Sequence, residues 1–102
     1  MSESPTDMPQ GLYATDAEGE LGTWNGLEVG VWECPPRVET DTEADEIFVV
    51  LSGRATIDFT EPPHPSIEIG PGDVVRLNEG QQTRWTVHET LRKVYVTPKD
   101  NS

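Results

Sequence analysis

The sequence is poor in cysteine, histidine and basic residues. Its 102 residues include one cysteine, two histidines and seven Lys or Arg against nineteen Asp or Glu. Cys34 alone cannot form an internal disulfide, and with His64 and His88 it cannot supply the four ligands of a structural zinc site. No apolar run approaches the roughly 20 residues that span a bilayer. These shortages exclude a disulfide scaffold, a zinc finger and a membrane-spanning helix.

The charge balance is strongly acidic. The net charge is −12 at pH 7 and the sequence pI is near 4.3. Such a chain repels phosphate backbones and anionic lipid headgroups, so we expect neither nucleic acid nor a membrane surface as a partner. The first twenty residues contain no Lys or Arg and no apolar leader, and we therefore expect a cytoplasmic protein.

Residues 1–20 differ in composition from the rest of the chain. They carry five acids, two prolines and scattered apolar groups, too few to offset the entropy of ordering. We predict a flexible acidic tail over residues 1–20, disordered or loosely docked. A length of 102 residues leaves room for a single domain, which we place at residues 21–102.

From residue 21 onward the pattern is typical of an all-β sandwich or barrel. Short stretches rich in Val, Ile, Thr and aromatic residues alternate with Gly, Pro, Asn and Asp every eight to twelve residues. Ser52-Gly53 predicts a tight turn, residues 61–65 a looser proline-rich loop and residues 70–73 a sharp turn. The predicted strands are residues 27–34, 46–52, 54–60, 66–69, 73–77, 82–87 and 91–97.

Five short motifs occur in a familiar order. They are Trp32-Glu33-Cys34-Pro35-Pro36, Glu46 with Gly53-Arg54 after six residues, Pro71-Gly72-Asp73, Gly80 ahead of Trp85, and Arg92-Lys93-Val94-Tyr95. Together they resemble the cupin superfamily, and more closely the small cupin domain family named after (S)-ureidoglycine aminohydrolase. The resemblance implies a double-stranded β-helix, a conical jelly-roll barrel with a cavity at one end, which agrees with the all-β pattern.

The resemblance also identifies positions where other cupins hold a metal. In metal-binding cupins three imidazoles and the carboxylate of the first motif, here Glu46, hold one divalent ion. With a three-residue gap before Glu46, the imidazole positions fall on Thr40, Thr42 and Thr83. Neutral hydroxyls are poor ligands for transition metals, so this alignment predicts no metal cofactor.

A four-residue gap gives a different alignment. Glu39 and Asp41 then join Glu46 in a carboxylate set suited to Mn²⁺ or another divalent cation. The sequence leaves the choice between Thr40 and Asp41 open, because a shift of one residue exchanges the two faces of a strand. The plainer interpretation is that the five acids between residues 39 and 46 mostly form a solvated loop.

Glu46 itself needs a partner. It opens an apolar strand, and its alternation with Phe48 and Val50 directs it to the interior, where a charge must be paired or hydrogen-bonded. A structural ion pair and a ligand contact are both compatible with this position. The candidate cations are Arg54, Arg76, Arg84 and Lys93.

These positions define a candidate ligand pocket. Trp85 shares its strand face with Thr83, and large amphipathic side chains near a cavity can stack on a planar ligand or simply fill a small barrel. We expect His64 and His88 to be surface histidines. We expect Cys34 to be a small buried apolar residue instead of a nucleophile. The predicted pocket residues are Glu46, Thr40, Thr42, Thr83, Trp85, Trp32 and Tyr95.

Three functions follow as hypotheses. The first is a small cupin without a standard His-ligated metal that binds a polar small molecule in the barrel cavity. The alternative is an enzyme similar to ureidoglycine aminohydrolase, dependent on a metal in a carboxylate-rich site; the sequence leaves open whether the protein is catalytic. A third is an assembly role, and a homodimer is expected in each case because apolar residues such as Ile47 and Leu51 mark an exposed sheet face.

Overall fold

The computed structural model describes residues 7–99, which form an all-β domain of seven strands. Within those residues no helix has the length and hydropathy needed to cross a membrane. The strands are β1 (Gly19–Trp24), β2 (Leu27–Cys34), β3 (Arg37–Thr42), β4 (Glu46–Glu61), β5 (His64–Ile69), β6 (Val74–Leu77) and β7 (Gln82–Pro98).

Two long strands, β4 and β7, connect the two layers of the barrel. The amino-terminal half of β4 and the carboxyl-terminal half of β7 pair with each other, flanked by β6 on one side and by β2 and β1 on the other. The remaining halves pair in a second layer, flanked by β5 and β3. All of these pairings are antiparallel, as expected for a jelly roll.

The bend between the layers lies where the sequence predicted a hairpin. The prediction of a tight turn at Ser52-Gly53 is wrong. β4 continues through these residues as one strand, with shifts in its register against β7 around Ser52 and Arg54. Gly53 has φ of 89°, and a Cβ there would collide with the carbonyl oxygen of Thr90. Glycine is required because the two strands approach closely while β4 changes direction.

The proline-rich segment after β4 is also tighter than predicted. Pro62 and Pro63 alone form the turn, and β5 already begins at His64, which lies opposite Phe59. Pro65 lies inside β5 and is tolerated because β5 is at the edge of its layer, where an amide donor can be missing.

Two strands were not predicted. β3 was interpreted as part of a solvated acidic loop, but it pairs with β7 over its full length. β1 begins at Gly19, inside the segment predicted as a tail, and Met8 ahead of it donates its amide hydrogen to the Thr23 carbonyl. Residues 1–6 of the predicted tail lie outside the described residues. In the described part of the tail, the Arg92 guanidinium donates hydrogen bonds to the carbonyl oxygens of Thr15 and Ala17.

The core lies between the two layers. Alternate residues of β4 and β7 supply it, and the predicted inward positions of Phe48 and Val50 are confirmed, with 1% and 2% exposure. Trp85, Val87 and Leu91 from β7 pack against them. This alternation directs Glu46 and Lys93 toward the same interior, because they occupy the same strand faces as those core residues.

Candidate functional site

A cavity of about 320 Å³ lies between β3 and the layer that contains β2 and the paired halves of β4 and β7. Its volume is at the lower end of the range for small-molecule sites. Four predicted pocket residues line it: Trp32, Glu46, Trp85 and Tyr95. The other lining residues are Glu39, Asp41, Glu43, Ala44, Lys93 and Thr97.

A buried ion pair forms one wall of this cavity. The Lys93 ammonium donates a hydrogen bond of 2.7 Å to Oε2 of Glu46, and the two side chains are 8% and 15% exposed. Of the four cations considered from the sequence, Lys93 is the partner. β4 and β7 bring these two residues together because both face inward from adjacent strands of the same layer.

Three aromatic rings surround the same ammonium group. Lys93 Nζ lies 4.1 Å from the ring centroid of Phe48 and 4.8 Å from those of Trp32 and Trp85. Aromatic faces carry negative electrostatic potential, so they attract a cation at this range. The rings also pack on each other, with centroids 5.8 Å apart for Trp32 and Trp85. The ammonium group therefore has favourable contacts on several sides.

Glu43 is a second buried carboxylate that the sequence analysis did not single out. It is 7% exposed, and its Oε2 accepts hydrogen bonds from Thr83 Oγ1 at 2.6 Å and from Trp85 Nε1 at 3.0 Å. These bonds fix the Trp85 indole beside the cavity. The signal that could have found Glu43 is its alternation with Glu39 and Asp41, which places all three on one face of an extended chain.

The register of β3 answers the question that the sequence left open. Glu39 lies opposite Trp85 and Asp41 opposite Thr83, and both acids line the cavity. Thr40 and Thr42 occupy the other strand face, so their assignment to the Glu46 pocket is wrong. They line a second cleft of about 480 Å³, together with Thr60, Gln82, Thr83 and Arg84, and Asp41 borders both this cleft and the cavity.

The carboxylates that line the cavity differ in whether they have hydrogen-bond or ion-pair partners. Glu39 forms an ion pair with Arg37 at 2.5 Å, whereas the Asp41 side chain has no hydrogen-bond or ion-pair partner among residues 7–99. Oε1 of Glu46 is likewise left without a partner in that part of the chain. Four carboxylates against one ammonium give the cavity a net negative lining, which disfavours an anionic ligand.

Tyr95 is held at the cavity by Glu28. Its hydroxyl donates a hydrogen bond of 2.8 Å to Glu28 Oε2. Burial raises the pKa of the Tyr95 hydroxyl well above its usual value, and the bond to Glu28 adds to the effect. Gly30 is required beside it, because a Cβ at that position would collide with the Tyr95 ring. The phenol therefore remains a neutral donor that can also accept a bond from a ligand.

The donor set does not fit the metal that cupin resemblance implies. Glu39, Asp41 and Glu46 share a cavity, but no three His, Cys, Asp or Glu side chains within the described part of the chain come close enough to hold an ion together. Lys93 already neutralises Glu46 at hydrogen-bond distance. A divalent cation beside that ammonium group would face direct charge repulsion.

The remaining reactive residues lie outside the cavity. His88 bonds Thr56 Oγ1 at 2.8 Å on an exposed strand, and His64 packs its ring on Phe59. Cys34 is fully buried, and desolvation raises the pKa of its thiol. A buried thiol with a raised pKa is a poor nucleophile, in keeping with its interpretation as a small hydrophobe.

Comparisons with known proteins agree with this architecture. The model of the EutQ-like cupin domain family matches residues 21–95. A search of curated proteins returned no match. The family match spans the seven strands except for the ends of β1 and β7, so it covers every residue that lines the cavity apart from Thr97.

Solved structures share the fold at low sequence identity. A protein of unknown function from Rhizobium leguminosarum bv. viciae 3841 is 24% identical, with a TM-score of 0.70 over 86% of this chain and 85% of that one. The Clostridium difficile EutQ protein is 21% identical, with a TM-score of 0.71 over 83% and 68%. A putative ethanolamine utilization protein Q from Salmonella typhimurium is 20% identical, with a TM-score of 0.64 over 76% and 61%.

Proposed function

The chain belongs to the EutQ-like cupin domain family, and from this premise we propose that it binds a small polar organic molecule, without a metal, in the cavity of its barrel. The single observation that carries the proposal is the juxtaposition of unpaired carboxylate oxygens with tryptophan and tyrosine rings around one cavity. Such a combination of apolar faces and a few placed polar groups is typical of small-molecule sites.

The polar groups of the cavity indicate which ligand chemistry fits. Asp41 and the free oxygen of Glu46 are acceptors, and the Lys93 ammonium group already donates to Glu46. A ligand must therefore supply hydrogen-bond donors, such as an ammonium, amino or hydroxyl group. The net negative lining favours a positively charged or neutral molecule over an anion.

Size and shape restrict the ligand further. A cavity of about 320 Å³ lies at the lower end of the range for small-molecule sites and favours a small organic molecule, with Trp32 forming an apolar wall. Ethanolamine is a suitable first probe because it carries both ammonium and hydroxyl donors. The Salmonella relative is described as a putative ethanolamine utilization protein, which gives a second reason to include this compound.

Binding can be tested by isothermal titration calorimetry with ethanolamine, larger amino alcohols, glycerol and acetate. We expect saturable binding of at least one donor-bearing compound and none of acetate. Asp41→Asn should weaken that binding about tenfold or more, because a charge-assisted hydrogen bond contributes about 1.5–3 kcal/mol. Asp41 is an exposed residue without a side-chain partner in the described chain, so the substitution leaves the fold intact.

Glu61→Gln is the matched control. Glu61 is an exposed carboxylate at the far end of β4, outside the cavity, and its substitution should leave affinity unchanged. Equal loss in both variants would show a general effect of net charge. Affinity that is insensitive to Asp41→Asn would remove this carboxylate from the proposed site.

The alternative is an enzyme similar to ureidoglycine aminohydrolase that works with a divalent metal. The carboxylates Glu39, Asp41 and Glu46 share the cavity, which keeps this hypothesis testable. The ion pair between Glu46 and Lys93 argues against it, since a metal would have to displace the ammonium group. Stoichiometric Mn²⁺ in purified protein, together with release of ammonia from a ureido compound, would favour the enzyme over the binding protein.

A further inference from the structure

We propose that the Lys93 ammonium group occupies a site built for an organic ammonium ion and takes the place of a metal ion as the cation that pairs with Glu46. The site consists of the Glu46 carboxylate and the rings of Trp32, Phe48 and Trp85. The ammonium group in this site belongs to the protein's own side chain, so its contacts do not depend on any bound ligand.

The geometry is that of an ammonium site. One N–H of Lys93 donates to Glu46 at 2.7 Å, and three ring centroids lie within 4.1 to 4.8 Å of the same nitrogen. An ammonium group needs one charge-assisted acceptor and is well solvated by aromatic faces on its other sides. A divalent ion instead needs four or more oxygen, nitrogen or sulfur ligands, which three rings cannot provide.

The burial of Lys93 requires that other groups of the protein compensate its positive charge. Lys93 is 8% exposed, and a buried ammonium group without a partner is costly. No buried side-chain nitrogen or oxygen among the described residues lacks a hydrogen-bond partner. The carboxylate and the rings together therefore replace the water that the ammonium group gives up.

The position of Glu46 connects this cation to the family pattern. By resemblance, Glu46 is the first-motif carboxylate that holds the metal in metal-binding cupins. Here the same carboxylate binds Lys93, which lies opposite Val50 in the pairing of β4 with β7 and faces the same interior. The single positive charge of Lys93 thus neutralises Glu46 and keeps it oriented, without exchange of an ion with solvent.

The unmodified protein offers a direct test, because the sequence has only two lysines. Lys99 is 30% exposed and serves as the control within the same chain. Limited acetylation followed by mass spectrometry should modify Lys93 at least about tenfold more slowly than Lys99, since the caged amine reacts only after local opening. Equal rates in the folded protein would overturn the proposal.

A second test removes the cation and supplies it again. Lys93→Ala deletes three methylene groups and the ammonium group, and propylammonium has that composition. Propylammonium should raise the melting temperature of Lys93→Ala by about 3 °C or more through binding to the folded state. The shift should be smaller for the wild type and for the matched variant Lys99→Ala, in which Lys93 already occupies the ammonium site, and propan-1-ol at equal concentration should have less effect on Lys93→Ala.

The two tests have separate outcomes. Equal rescue by propan-1-ol would show that the site selects for volume and not for charge, and would overturn the proposal. Failure of propylammonium to rescue a folded Lys93→Ala would do the same. If Lys93→Ala does not fold, the acetylation rates of the wild type decide. A divalent ion bound stoichiometrically to the wild type would also contradict the assignment.

Discussion

The ion pair between Lys93 and Glu46 should be strongly coupled in stability. Its nitrogen and oxygen atoms lie 2.7 Å apart, and both side chains are largely removed from water. Breaking a buried pair by removing one partner costs about 3–5 kcal/mol, because the other charge is left uncompensated. Lys93→Met keeps much of the volume and leaves Glu46 buried, so we expect a loss of about 3 kcal/mol.

The second perturbation removes the charge of the acid. Glu46→Gln retains an acceptor oxygen for Lys93, and we expect a smaller loss of about 2 kcal/mol, the value of a charged hydrogen bond. In the double variant neither charge remains, and the loss should be about 3 kcal/mol instead of the sum of about 5. The coupling energy is then about 2 kcal/mol, within the range for residues in contact.

Urea unfolding followed by tryptophan fluorescence is a suitable assay, since Trp32 and Trp85 both lie beside the pair. The four proteins should unfold with equal dependence on urea, so that changes in midpoint report changes in stability. The matched cycle uses Lys99 and Glu20, an exposed pair at 3.5 Å, for which the coupling should stay below about 0.5 kcal/mol. Equal coupling in both cycles would refute the reasoning.

Three further predictions concern the surroundings of the site. Tyr95→Phe should cost about 1.5 kcal/mol at neutral pH, the value of a hydrogen bond to a carboxylate such as Glu28. Because the pKa of Tyr95 is raised in the folded state, the wild type should lose stability as pH rises above 10.0, and the variant should lose it less steeply in alkaline urea titrations. An alkaline slope unchanged by the substitution would contradict this assignment. Gly53→Ala should lower the free energy of unfolding by about 2 kcal/mol or more, because the residue adopts positive φ against the Thr90 carbonyl; a stable variant would show that β4 can bend elsewhere. Light scattering should return twice the 11.3 kDa chain mass if the homodimer predicted from sequence forms, and Val74→Asp should reduce it, since Val74 is an apolar residue 70% exposed on β6. A monomer at micromolar concentration would contradict the dimer.

The all-β fold and several site residues could be predicted because alternation and motif spacing are local signals. The inward direction of Phe48 and Val50 followed from period-two alternation and is confirmed by their burial. The same alternation indicated that Glu46 needed a partner. Choosing Lys93 among four cations required the pairing of β4 with β7, which joins residues 47 positions apart.

The errors have physical reasons. Ser52-Gly53 has the composition of a hairpin turn, but long-range pairing with β7 keeps the chain extended and uses the glycine for a bend. β3 has few apolar residues, so its strand character comes from its pairing partner and not from its own propensity. That pairing fixes the register, which places Asp41 in the cavity and Thr40 outside it.

The metal content of the protein, purified without a chelator or a histidine tag, tests the central claim most directly. Elemental analysis should find no stoichiometric divalent ion, and added Mn²⁺ should not raise the melting temperature, because Lys93 already neutralises Glu46 within its ring of aromatic side chains. One tightly held ion per chain, with a stabilising shift on adding Mn²⁺ that is lost in Glu46→Gln, would contradict the account and favour a metal-dependent enzyme.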